Sequence, residues 1–144
     1  MNMSRVAAAA VVAWVVDGLY GFVVYGQALQ SEFNRYPGVF RSTQAVMGNM
    51  PLMFAGMLIA FFALAYIFAR GHEGGNGVAE GIRFGIVFGI LMFGLISVGN
   101  YCVLNIGRKI AVEMAVAGFV ESIIIGATLG LVYQPLPRAK SMAV

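Results

Sequence analysis

Charged and strongly polar positions are sparse along this chain, and they leave four long apolar runs between them. The runs are Val6–Ala28, Ser42–Ala69, Ile82–Ile106 and residues 114–134. Asp17 interrupts the first, the second carries no charge, Arg83 opens the third, and Glu121 interrupts the fourth. At a rise of about 1.5 Å per residue, each is long enough for a hydrocarbon core about 30 Å thick. Lipid offers no hydrogen-bond partner to backbone groups, so a spanning segment must be a helix or part of a closed barrel. None of the runs shows the ten-residue alternation of a barrel strand. The pattern therefore predicts an all-α integral membrane protein, a single antiparallel four-helix bundle over residues 1–144.

The connections are unequal. Residues 30–41 (QSEFNRYPGVFR) are polar and carry a Pro37-Gly38 turn signal. Residues 70–81 (RGHEGGNGVAEG) are glycine-rich and read as a flexible loop. Residues 107–113 (GRKIAVE) form a link short enough to make the third and fourth spans antiparallel neighbours. After Pro135 the tail is polar and basic, and Pro137 discourages further helix. The first run exceeds the 7–15-residue core of a signal peptide, so it reads as an uncleaved span.

Composition agrees with this pattern. Only 10% of the residues are charged, against about 25% in a soluble domain. The net charge of +3 gathers at span ends, which suits lipid headgroups and leaves no basic stripe for nucleic acid. Arg5, Arg70, Arg83, Arg138 and Lys140 fall on one side of the bilayer; Arg35, Arg41, Arg108 and Lys109 fall on the other. That balance leans towards both termini in the cytoplasm of a bacterial inner membrane.

An acid in the middle of a span costs roughly 2.5–3.5 kcal/mol on insertion scales, so Asp17 and Glu121 need partners. Measured from the side of the termini, Asp17 lies at ~16 Å, Glu121 and Asn49 at ~20 Å, and Asn100 at ~25 Å. All four spans thus place a polar group near one level, and Gln44, Ser97 and Asn105 extend it towards the first and third loops. Two readings follow. The layer is a site for a proton, a cation or a small polar ligand, formed by Asp17, Glu121, Asn49 and Asn100; or it is a hydrogen-bonded plug, with one or both acids protonated, that fixes helix order. Tyr20 lies beside the Asp17 stripe, where its phenol can donate to the carboxylate, whereas Trp14 reads as simple packing.

Gly81, Gly85 and Gly89 step by four along the third span; the fourth carries Gly118, Gly126 and Gly130. Small-xxx-small spacing lets helix backbones approach, within the bundle or against a membrane protein partner or second copy. Pro51, two residues after Asn49, predicts a kink. His72, the only histidine, reads as a solvated loop residue, and Cys102, the only cysteine, as an inert buried thiol. Neither belongs to a metal-ligand cluster. No catalytic residue, nucleotide fingerprint or cofactor motif is legible.

The stretch Asp17-Gly-Leu-Tyr20 with Tyr25, the glycine ladder ending in Gly99-Asn100-Tyr101, and the segment from Glu121 to Gly126 resemble uncharacterised bacterial four-helix membrane proteins grouped as domains of unknown function. The resemblance implies fold and membrane location but no activity. The leading expectation is a non-enzymatic accessory or assembly subunit of a larger membrane complex. A small proton- or cation-coupled transporter using Asp17 and Glu121 is the alternative, and an enzyme acting on a lipid or isoprenoid ranks last.

Overall fold

The computed structural model describes residues 2–133; the tail from Gln134 onward, with Arg138 and Lys140, lies outside them, as does the last residue of the fourth run. Among the described residues, four helices are long and apolar enough to cross a membrane: α1 (Met3–Ala28), α3 (Thr43–Gly71), α4 (Gly77–Val103) and α5 (Arg108–Val132). A short helix, α2 (Gln30–Phe33), lies in the first loop. The described chain is all-α, and the protein is a multi-pass membrane protein.

Local chemistry sets the helix starts. The Asn2 side chain accepts from the Ser4 and Arg5 amides, Ser42 from Ala45, and Asn76 from Ala79. These caps satisfy amides that the first turn leaves orphaned. Asn76 therefore starts α4 at Gly77, ahead of the apolar run at Ile82. The fourth span likewise starts at Arg108, so most of residues 107–113 is helix rather than loop. Helix α3 runs unbroken through Pro51. Two spans contain wide π-helical turns, Val24–Ala28 in α1 and Phe93–Val98 in α4.

Packing runs in the order α3–α1–α5–α4, and α3 and α4 make no extensive contact with each other. The tightest junction joins α4 to α5. Gly81, Gly85 and Gly89 face Ser122, Gly126 and Gly130, and a Cβ built at Gly81, Gly85, Gly126 or Gly130 would strike the opposing backbone. Gly81, Gly85, Gly126 and Gly130 are thus consumed inside the bundle, whereas nothing lies within 4 Å of a Cβ built at Gly94 or Gly99. Gly118, the remaining member of the α5 set, sits near the Tyr25 hydroxyl instead.

The core is concentrated at one end. Val6, Ala9, Ala10 and Ala13 of α1 meet Phe61, Ala65 and Phe68 of α3 and Ile125, Leu129 and Tyr133 at the end of α5. This is the half nearer the second loop. Along α3 up to Met53, by contrast, only Ala45 and Met50 are even half-buried. Leu52 and Ile59 are among the large apolar side chains left exposed, a surface that matches lipid.

Trp14 does more than pack. Its indole Nε1 donates to the Phe54 carbonyl at 3.0 Å, and the two rings meet edge to face at 5.7 Å. This ties α1 to α3. Trp14→Phe keeps the ring and removes the donor. It is expected to lower stability in detergent unfolding by about 0.5–1.5 kcal/mol, with the helical circular dichroism unchanged.

At the far end, the loops are fastened by ions. Lys109 Nζ donates to Glu32 Oε1 at 2.5 Å, and Arg35 reaches Glu32 Oε2 at 3.3 Å. The Lys109 hydrogen bond holds the Glu32 carboxyl below its ordinary range, against the opposing effect of desolvation. The Gly107 amide donates to the Tyr36 hydroxyl at 3.1 Å.

The second loop is organised about Glu80, which accepts from the amides of Glu73 and Gly75 at 2.9 and 2.6 Å. Gly74 has φ +89°, a conformation that favours glycine. His72 is not solvated. Its side chain is 4% exposed, its ring packs against Phe68 and Tyr133, and Nδ1 approaches Glu80 Oε2 at 2.5 Å without the alignment of a directed hydrogen bond. Cys102, read from sequence as buried, is exposed on the outer face of α4.

Candidate functional site

Asp17 lies near the middle of α1 with only 6% of its surface exposed, and Glu121 lies near the middle of α5. Their side chains come within hydrogen-bonding contact of each other. A carboxyl pair in contact can share a proton, since a protonated carboxyl donates where an ionised one only accepts.

Tyr25 completes the cluster, its hydroxyl donating to Glu121 Oε2 at 2.8 Å. In an unbroken α-helix Tyr25 stands about 80° around the axis from Asp17. The wide turn Val24–Ala28 changes that register, as π-turns at functional positions often do. Tyr20, placed beside Asp17 by the sequence, uses its hydroxyl elsewhere. It donates to the Ala117 carbonyl at 2.8 Å, and its ring meets that of Tyr25 edge to face. Tyr20 thus joins α1 to α5 just beside the acids, and Tyr25 is the phenol bonded to a carboxylate.

The acids open onto a cavity of about 570 Å³. Helices α1 and α5 form its floor, and α3 and α4, which do not close on each other, form its walls. Its wall on α3 is apolar, from Ala60 to Ile67. On α4 the wall runs from Phe88 to Asn100 and includes Phe93, Ile96 and Ser97 of the second wide turn. Asn100 and Ser97 therefore reach the cavity, with Asn100 half-buried there. Among the described lining residues there is no lysine, arginine or histidine.

Asn49 does not join them. It is exposed, and its amide turns back to donate to the Ala45 carbonyl at 2.7 Å. Depth along a helix does not specify direction around it. Asn49 precedes the buried Phe61 by twelve residues, which places it about 120° around the helix. Gln44 and Asn105 are likewise exposed. The level of the layer is therefore populated by α1, α4 and α5, whereas α3 contributes only apolar surface.

Ser122 needs no outside partner, since its hydroxyl donates to the Gly118 carbonyl one turn back at 2.8 Å. Asp17 differs: among the described residues, only Glu121 forms a side-chain hydrogen bond with it. A buried carboxyl with free lone pairs aimed at a cavity can bind a cation or a hydrogen-bond donor. No group of three or more metal-ligating side chains occurs among the described residues.

Family models, curated proteins and solved structures were all compared with this chain, and none of them matches it.

Proposed function

We propose that this protein takes up a small molecule from within the bilayer and exchanges it for a proton at Asp17 and Glu121, as a proton-coupled carrier does. The observation that carries this reading is the carboxyl pair in mutual contact at the wall of a cavity of about 570 Å³. That volume falls within the range of roughly 300–1,000 Å³ typical of small-molecule sites. For an accessory subunit docking through glycine faces, Gly81, Gly85, Gly126 and Gly130 are already spent between α4 and α5, which leaves Gly94 and Gly99 of the α4 ladder open.

A structural plug and a binding site use the same acids in different surroundings. A plug fills its own volume with side chains, because interiors are packed nearly as tightly as crystals. The space beside Asp17 favours the site. Unequal packing of the two ends supports it further: the core lies towards the second loop, whereas along α3 up to Met53 only Ala45 and Met50 are even half-buried.

The test uses three probes sharing a naphthyl body, with a trimethylammonium, a hydroxyl or a carboxylate head. Each is added to the protein in weakly buffered nanodiscs containing a pH dye, with empty nanodiscs as the reference. At least one probe is expected to bind above the reference and to change the number of bound protons. That proton change is expected to vanish in Asp17→Asn. If none of the three binds above empty nanodiscs, or if binding moves no proton, the proposed function is overturned.

A further inference from the structure

The occupant's chemistry can be narrowed from the walls and from the charge balance. We infer that the cavity between α3 and α4 takes a lipophilic monocation, an ammonium or similar head on an apolar body, with the head at Asp17 and Glu121. This rests on the binding reading above and goes beyond it by naming the ligand class.

Charge decides the head. The titratable groups at the site are Asp17 and Tyr25 from α1 and Glu121 from α5, with Tyr20 behind them. Among the described residues, α3 contributes only apolar lining, and α4 contributes the neutral Ser97 and Asn100 as its polar lining. Among the described residues, no cation lines the cavity beside the pair. An anionic head would meet one or two carboxyls in a low-dielectric setting with no described cation in the lining to offset the repulsion. A cationic head supplies the missing opposite charge. A pair that holds one proton between its acids carries −1, and one positive charge then gives a neutral complex. A dication would leave an excess of +1 in a setting where uncompensated charge is expensive.

The walls decide the body. Leu64 and Ile67 of α3 face Phe88, Met92 and Phe93 of α4 across the space, with Phe119 of α5 beneath. Aromatic faces also attract cations when desolvated. Because α3 and α4 do not close on each other, the space lies open towards lipid between two spans. A molecule already dissolved in the bilayer can enter there without crossing an aqueous phase.

The proton balance follows. When the pair starts with both protons, binding one monocation expels one of them, and the other stays between the acids. The ligand then binds more tightly as pH rises, by up to about tenfold per pH unit, the limit for one proton exchanged per ligand.

The same naphthyl probes test this by fluorescence anisotropy, again against empty nanodiscs and across pH. The trimethylammonium head cannot titrate, so every proton released on its binding comes from the protein. It is expected to bind at least tenfold more tightly than the hydroxyl probe. Its affinity is expected to rise with pH, and the carboxylate probe is expected to bind weakest. Equal or tighter binding of the hydroxyl or carboxylate probe would overturn the monocation assignment while leaving a binding site in place. Failure of all three overturns the binding reading itself. The wild-type pH series needs no variant, so a misfolded Asp17→Asn would not blunt the test.

Discussion

Gly85→Ala is expected to loosen α4 from α5 and to lower stability by about 2–3 kcal/mol, in the upper part of the range for overpacking. The added Cβ meets the Ser122 carbonyl oxygen, with the Ile123 Cα at 2.8 Å and the Ser122 carbonyl carbon at 3.1 Å. These are backbone atoms of a helix, so no rotamer can relieve the collision and the two helices must part. Parting them forfeits the close packing that holds membrane helices together. Alanine's better helix propensity, worth roughly 1 kcal/mol over glycine, opposes the loss but is the smaller effect. Gly126→Ala acts on the other side of the same junction, where the new Cβ lies 2.7 Å from the Gly85 Cα and nitrogen. Gly56→Ala is the control. Nothing lies within 4 Å of its Cβ, so only the propensity gain applies and stability should hold or rise slightly. Unfolding in detergent of the three variants measures this, and a Gly85→Ala protein as stable as Gly56→Ala would contradict the assigned junction.

Asp17→Asn is expected to keep the fold and to abolish proton exchange at the site. The amide is nearly isosteric with the acid and can still hydrogen-bond to the Glu121 carboxyl, so the helix contacts survive. What it lacks is a proton to give up and a charge to offer. Binding of the trimethylammonium probe should fall at least tenfold, and its dependence on pH should flatten. Glu121→Gln should act in the same direction while leaving Tyr25 an oxygen to donate to. On the proposed function the two acids act as one unit, so the double variant should lose little beyond either single one, a non-additivity that binding measurements on all three can read. Pronounced pH dependence in both single variants would place the titrating group elsewhere.

Much of the architecture is legible from hydropathy. Lipid excludes unpaired backbone, so four apolar runs of this length must become four helices. The buried acids were visible too, because an ionisable residue inside such a run is conspicuous. Counting residues also puts both near one level and so suggests a shared site, but it does not fix which way each side chain faces. Asp17 and Asn49 fall at similar depth, yet one faces Glu121 and the other faces outward. Depth follows from counting residues, whereas azimuth depends on which neighbour each helix packs against. Tyr25 is not legible from sequence as the phenol bonded to Glu121, because a regular helix does not align it with Asp17 and nothing in the residues Val24–Ala28 announces a wide turn. His72 reads as solvated because a glycine-rich segment reads as loose, whereas its burial depends on Phe68, Glu80 and Tyr133 meeting around it.

Membrane insertion, the number of spans and the identity of the acids thus follow from the order of residues, because lipid acts on each segment separately. The order α3–α1–α5–α4, the gap between α3 and α4, and the cavity beneath it arise from packing between segments. Glycine spacing permits a close junction without saying which ladder will fill it. Only when Gly85 lies against Ser122 and Ile123 is α4 committed to α5 rather than to α3, and that commitment leaves the space beside Asp17 unfilled.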